Sequence, residues 1–204
     1  MTTEKYNMSF TTGGLFLSES IKLAEIYLEL NDWDIVREKV LSNNLLQSRT
    51  LSTAKRNFRE VASRLKYLTA DELLFFANTN LHDQGYILWI AVCRRYIFIS
   101  EFAAEVLRER YISLKSDLNY DEFDYFFHRK SELNPELDHI SSKTRTKLRQ
   151  VLFKILRESD LLTANNIIHA ALLSPGLLDL ISHSHNQDAL YFPVFESDLR
   201  GMSQ

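Results

Sequence analysis

Apolar positions recur at intervals of three and four residues through most of this chain, the spacing of helices that bury one face. Between Ser141 and Arg157, Leu148, Val151, Leu152, Ile155 and Leu156 form such a face, and Ser141 or Ser142 can cap the start with a hydroxyl. The earlier segment Ser48–Leu68 repeats the design, with Phe58, Val61, Ala62, Leu65 and Leu68 inward and Thr50 or Ser52 as cap. Ahead of it, Ile21, Ala24, Ile26, Tyr27, Leu28 and Leu30 predict a helix opened by Ser18 or Ser20. Asn31 breaks that helix, and Asp32 caps a short amphipathic one from Trp33 to Leu41. The pair Gly13-Gly14 marks a turn that lets Phe10, Leu15 and Phe16 tuck against the first helix.

From about 70 to 115 the pattern is more apolar. Asp71 and Glu72 open one helix; Asp83 is the predicted cap of the next, running to about Tyr96, and Ser100 that of a third, Glu101–Leu114. Leu88, Trp89, Val92, Ile97, Phe98, Phe102, Ala103, Val106 and Leu107 are the expected core. Residues 116–140 turn acidic, and Asp121–Arg129 reads as a helix with Phe123, Phe126 and Phe127 inside. Beyond the segment at 141–157, Asn165–Leu173 is either one strand of a degenerate wing or a short helix. Pro175 starts a short helix over Leu177–Ile181. The patch Leu190–Phe195 either folds back on the body or meets another protein. With five Gly, three Pro and few alternating runs in 204 residues, helix is favoured nearly throughout. The expectation is an all-α fold, with a minor β wing as its one exception. It comprises a helix-turn-helix-like unit over 1–70, central core helices over 71–115 and a winged-helix-like unit over 116–204.

An apolar share of 45% and a charged share of 25% belong to a globular chain. The net charge of −3 excludes a protein coated in positive charge, so any nucleic-acid surface must be gathered locally. It is gathered, on the polar faces of the two helices above. One carries Arg49, Ser52, Lys55, Arg56 and Arg59; the other carries Lys143, Thr144, Arg145, Lys147 and Arg149, with no acid before Glu158. A helix with an anchored apolar back and a basic front is what duplex recognition needs. Arg64 and Lys66 are likewise expected to face outward or sit at the end of the first helix, and Lys154 and Arg157 to lie on the basic face of the second. The ten residues named first are the candidate DNA contacts. A solvated basic face is the plain alternative for each. Arg94, Arg95, Arg108 and Arg110 read instead as partners of Glu101, Glu105 and Glu109.

Several chemistries are not supported. His183 and His185 have no neighbouring Cys and no acids at ligand spacing, so no metal is expected. Cys93 sits among core residues with no His nearby, which argues against a nucleophile and for a reducing compartment. Asp121, Glu122 and Asp124 read as a solvated face rather than a magnesium site. No phosphate-cradling Gly-rich loop or G-x-S-x-G turn occurs. The expectation is a protein that is not an enzyme and takes no cofactor. No secretory signal is visible. Gly85–Ser100 is too short and too interrupted by Arg94 and Arg95 to span a bilayer, since a span needs ~20 apolar residues.

The run Ser9-Phe10-Thr11-Thr12-Gly13-Gly14-Leu15, the Trp33 helix, the Ser48–Leu68 helix with Arg59-Glu60-Val61, and the Trp89–Glu105 core resemble the BrxA family. These are small accessory proteins of BREX bacteriophage-exclusion systems. The likeness covers nearly the whole chain and is weakest over 186–204. It implies an all-helical, cytoplasmic, DNA-binding protein encoded beside a methyltransferase, an ATPase and a phosphatase-like protein. An inner-membrane label also attaches to the family, and the arginine-interrupted segment argues against it here. The expected partners are therefore double-stranded DNA and other BREX proteins. Two other readings stay open: an interaction scaffold using the Tyr191-Phe192 patch and the acidic helix at 121–124, and an RNA-binding protein of the antitermination kind.

Overall fold

The computed structural model describes residues 5–195 and Ser197. Its helices are α1 (Leu17–Leu30), α2 (Trp33–Ser42), α3 (Leu51–Leu65), α4 (Ala70–Asn78), α5 (Leu81–Arg95), α6 (Ile97–Phe102) and α7 (Glu109–Ile112), then α8 (Tyr120–Ser131), α9 (Pro135–Asp138), α10 (Ser142–Glu158) and α11 (Pro175–Ser184). A π-helical stretch, Ala103–Arg108, joins α6 to α7 in one continuous run, and a 3-10 turn, Asn186–Tyr191, follows α11. The fold is all-α.

The chain is arranged around α5. Every residue from Asp83 to Cys93 is buried, as a helix apolar on all sides requires. Helices α1, α3, α4, α6 and α10 pack on it. Trp89 is fully buried, and its indole N–H donates to the Tyr191 carbonyl at 2.9 Å. Phe192 meets Tyr86 edge-on at 5.2 Å, so the apolar segment near the C-terminus folds back on the body. On α6, Phe98 gathers Phe10, Phe123, Phe126 and Phe127 with centroids 5.1–6.3 Å from its own. One continuous core links the N-terminal, central and C-terminal segments.

Several predicted starts move. The residue before α1 is Phe16, in a left-handed conformation (φ 61°) and without a side-chain cap, while Ser20 is buried inside the helix. Asn80, not Asp83, caps α5, its Oδ1 accepting from the backbone N–H of His82 and Asp83. Asp83 is turned instead to the Thr79 and Ser174 hydroxyls, tying α5 to the start of α11. Ser100 lies within the helical run, its hydroxyl donating to Ile97 O.

Arginine partners also differ from the local ones expected. An extended residue, Tyr96, breaks the chain after α5 and carries Glu101 and Glu105 onto a separate helix. There they pair with Lys130 and Arg129 of α8 at 2.5–2.7 Å. Arg94 instead holds Glu72 with two bonds of 2.7 Å and reaches Asp188 at 2.5 Å. Burial pushes the Asp188 carboxyl above the usual range, and the Arg94 guanidinium opposes that rise. Arg110 pairs with Asp117 and Glu122 at 2.8 Å.

The stretch 165–173 is neither a full strand nor a helix. Ile167 and Ile168 make single antiparallel bridges to Asp117 and Leu162. Backbone bonds Leu118 N–H to Asn166 O (2.8 Å), Ile168 N–H to Ser116 O (2.6 Å) and Thr163 N–H to Ile167 O (2.8 Å) complete a short three-segment ribbon. Its middle segment is the last in sequence.

Candidate nucleic-acid interface

Helix α3 begins where the Thr50 hydroxyl accepts from Thr53 N–H at 3.1 Å. Ala54, Phe58, Val61, Ala62 and Leu65 are buried beneath it. Each fully buried large apolar side chain contributes about 1.5–3 kcal/mol relative to exposure, so this face fixes the helix rotation. The opposite face then presents Ser52, Lys55, Arg56 and Arg59 to solvent, with Arg49 exposed just before the helix. Glu60, the sole acid of α3, is turned inward. Its Oε1 accepts from Arg64 Nε at 3.0 Å and from the Tyr96 hydroxyl at 2.7 Å, and Arg64, expected to face outward, is buried beside it. Burial and the Glu60 charge push that phenol up to about 12. Among the described residues, no carboxylate pairs with Arg49, Lys55, Arg56 or Arg59.

Lys55, Arg56 and Arg59 form one wall of an open groove of about 660 Å³ between α2 and α3. Trp33, Asp34 and Arg37 line it from α2, Ser52, Lys55, Arg56 and Arg59 from α3, and Lys66 from just beyond the end of α3. The lining holds five cations against one carboxylate. Trp33 stacks nearly parallel on Tyr27 at 4.3 Å, and the Lys66 ammonium hangs 5.6 Å from the Trp33 ring centroid. Trp33, Arg37 and Lys66 lie outside the ten candidate contacts. The periodicity of the Trp33–Leu41 helix already placed Arg37 on its outer face, and that signal could have found it.

Helix α10 has the same plan and a different outcome. Ser141 caps it, accepting from Thr144 N–H at 3.2 Å, and Leu148, Val151, Leu152, Ile155 and Leu156 are all buried. The Thr144 hydroxyl is taken up by Ser141 Oγ at 3.0 Å. Asp124, on α8, pairs with Arg149 and lies 3.6 Å from Arg145. Both guanidiniums also lie over aromatic rings, Arg145 over Phe127 at 5.3 Å and Arg149 over Tyr120 at 4.7 Å. Lys143 and Lys147 are exposed and make no ion pair among the described residues. None of the α10 residues lines the α2–α3 groove.

Connections differ from the tight helix-turn-helix pattern. Residues 43–50 separate α2 from α3, and α9 lies between α8 and α10. A helix-turn-helix turn has three or four residues. The one group of His, Asp and Glu whose donor atoms converge among the described residues is Glu72, His185 and Asp188. The Arg94 guanidinium already bridges both carboxylates there, so the group reads as an ion-pair cluster. No described helix is long and apolar enough to cross a membrane.

Known proteins resemble this chain in sequence and in fold. A BREX protein BrxA from Escherichia coli O9:H4 (strain HS) is 26% identical over 147 residues, covering 72% of this chain and 69% of that protein. A BREX protein BrxA from Bacillus cereus (strain H3081.97) is 26% identical over 151 residues, covering 72% of this chain and 74% of that protein. The crystal structure of an uncharacterized protein from Magnetospirillum magneticum superposes with a TM-score of 0.80 at 18% identity, over 93% of this chain and 98% of that one, a likeness of fold. The BrxA family model matches residues 4–185, and the chain belongs to the BrxA family.

Proposed function

We propose that this protein serves bacteriophage exclusion by binding double-stranded DNA in the cytoplasm, without catalysing a reaction on it. The observation that carries this reading is the outer face of α3. Lys55, Arg56 and Arg59, with Arg49 beside them, are exposed and make no ion pair among the described residues, in a chain whose net charge is −3. A polyanion is the partner such a surface selects, and phosphate contacts would supply most of the affinity and little sequence preference. Lys143 and Lys147 add a second, weaker contact from α10. The names of the relatives make other BREX proteins the expected protein partners.

The C-terminal half supports the same reading through its order of elements. An extended segment at 116–118 precedes α8 and α10, and two more at 161–163 and 167–169 follow, with the last pairing to both others. That is the order of a winged helix, in which α10 would occupy the recognition position. The scaffold reading loses one of its motives, because Phe192 is fully buried and Tyr191 half-buried.

Duplex binding measured by fluorescence anisotropy across a salt series tests the proposal. Lys55→Glu with Arg56→Glu should weaken binding and lower the salt slope by about 2. Lys143→Glu with Lys147→Glu should produce a smaller loss. Unchanged affinity in both folded double variants would remove the idea. Competition by structured RNA at equal salt separates the antitermination reading, because the deep, narrow RNA major groove receives a helix poorly.

A further inference from the structure

We infer that the α2–α3 groove holds an unpaired base of a DNA strand against Trp33, so that the protein favours duplex DNA interrupted by a short single-stranded gap. This rests on the DNA reading above and narrows its substrate.

Trp33 is the first residue of α2, fixed there by the Asp32 carboxylate, which accepts from the N–H groups of Asp34 and Ile35 at 2.7 and 3.2 Å. Tyr27 backs one face of the indole at 4.3 Å and 17°, which makes the ring a rigid platform. The half-buried indole also borders the open α2–α3 groove, where the exposed Lys66 ammonium lies 5.6 Å from its centroid. Lysine is a flexible occupant. An exposed cation–π contact strengthens an association by about 2- to 5-fold, whereas a base stacked on an aromatic face adds about 5- to 150-fold. A base therefore displaces the ammonium, which stays within reach of the adjoining phosphate. Arg37, Lys55, Arg56 and Arg59 line the same groove and track the backbone on either side. Cations beside an aromatic platform are the parts from which single-strand sites are built. An intact duplex offers such a platform no base face, because its bases are stacked on one another.

Charge complementarity selects the nucleic acid, and the platform selects its unpaired state. The other tryptophan, Trp89, is fully buried, so ligand-dependent change in indole emission reports on Trp33.

The test uses the full chain and two probes at one salt concentration, a duplex and the same duplex with a five-nucleotide gap in one strand. The gapped probe should bind about tenfold more tightly and quench the indole emission. Trp33→Leu should bring the affinity ratio of the two probes close to one, and Trp33→Phe should keep most of it. Circular dichroism and the Trp89 emission check that each variant is folded. Equal affinity of the native protein for the two probes, or a preference that survives in folded Trp33→Leu, would overturn the inference while leaving duplex binding intact. Failure of the native protein to bind either probe would instead overturn the DNA reading beneath it.

Discussion

Helices α3 and α10 carry nearly the same inventory, an apolar back, a hydroxyl cap and a basic front, yet they present different electrostatic surfaces. On α3 the sole acid is drawn into the core by Arg64 and Tyr96, leaving the outer cations without an ion pair among the described residues. On α10 the acid comes from outside. The packing of Phe123, Phe126 and Phe127 fixes the rotation of α8, and Asp124 then meets Arg145 and Arg149. Counting basic residues along a helix therefore overstates its field wherever a neighbouring helix brings a carboxylate to the same face. What attracts a polyanion is the charge left after tertiary pairing.

The largest expected effect tests the inward role of Glu60. Arg64 is 1% exposed, and its Nη1 also donates to Gly14 O at 2.7 Å, so its charge cannot turn to water. Glu60→Ala strands it, and breaking a buried pair costs about 3–5 kcal/mol. Chemical denaturation should show that loss. The salt slope of DNA binding should stay unchanged in the protein that remains folded, because Glu60 does not shape the outer face. A changed slope would mean that Glu60 neutralises that face and would break the contrast with Asp124.

Next comes the outer face itself. Each phosphate contact contributes about 0.9 to the salt slope, so losing two weakens binding by roughly 60-fold at 0.1 M salt relative to 1 M. Lys55→Gln with Arg56→Gln should approach that figure in an anisotropy titration. Arg145→Gln with Arg149→Gln should fall well below it, since those cations are already paired. Equal losses from the two double variants would show that pairing with Asp124 leaves their charge available to DNA.

Asp124→Asn turns the comparison around by making α10 resemble α3. Arg145 and Arg149 keep their aromatic contacts and lose their carboxylate, so duplex affinity should rise by up to about tenfold, the equivalent of one regained contact at 0.1 M salt. The pair is about one-third exposed on the acid side, which limits the stability cost to about 1 kcal/mol or less. Affinity that stays level would place the α10 arginines outside the interface altogether.

Local chemistry was legible in the sequence, and long-range pairing was not. The five apolar residues predicted for α10 are all buried, joined by Phe153, and Asp32, Thr50 and Ser141 cap the helices they were expected to cap. Those features depend on neighbours within four residues. Arg94 was misassigned because its partner Asp188 lies 94 positions away, and the break at Tyr96 removed the nearer acids from reach. Asp124 was read as a solvated acid for the same reason, since nothing within α8 announces that α10 lies against it. The basic stretches identified where candidate contacts sit, and only the packing determines which of them keep their charge.

The smallest effect separates helix formation from charge. Ser141→Ala and Thr50→Ala each remove one hydroxyl acceptor from a helix start, which costs about 1 kcal/mol apiece in denaturant titrations. Their consequences for binding should differ. Lys143 lies in the first turn of α10, so fraying there disperses one of the two exposed lysines of that helix that make no ion pair among the described residues. Lys55, Arg56 and Arg59 lie deeper in α3, beyond the first turn and above Phe58 and Ala62, and stay ordered when the cap is lost. Duplex affinity should therefore drop about twofold in Ser141→Ala and hold in Thr50→Ala. The reverse ranking would mean that α10 grips the DNA body-on and that α3 depends on its terminus.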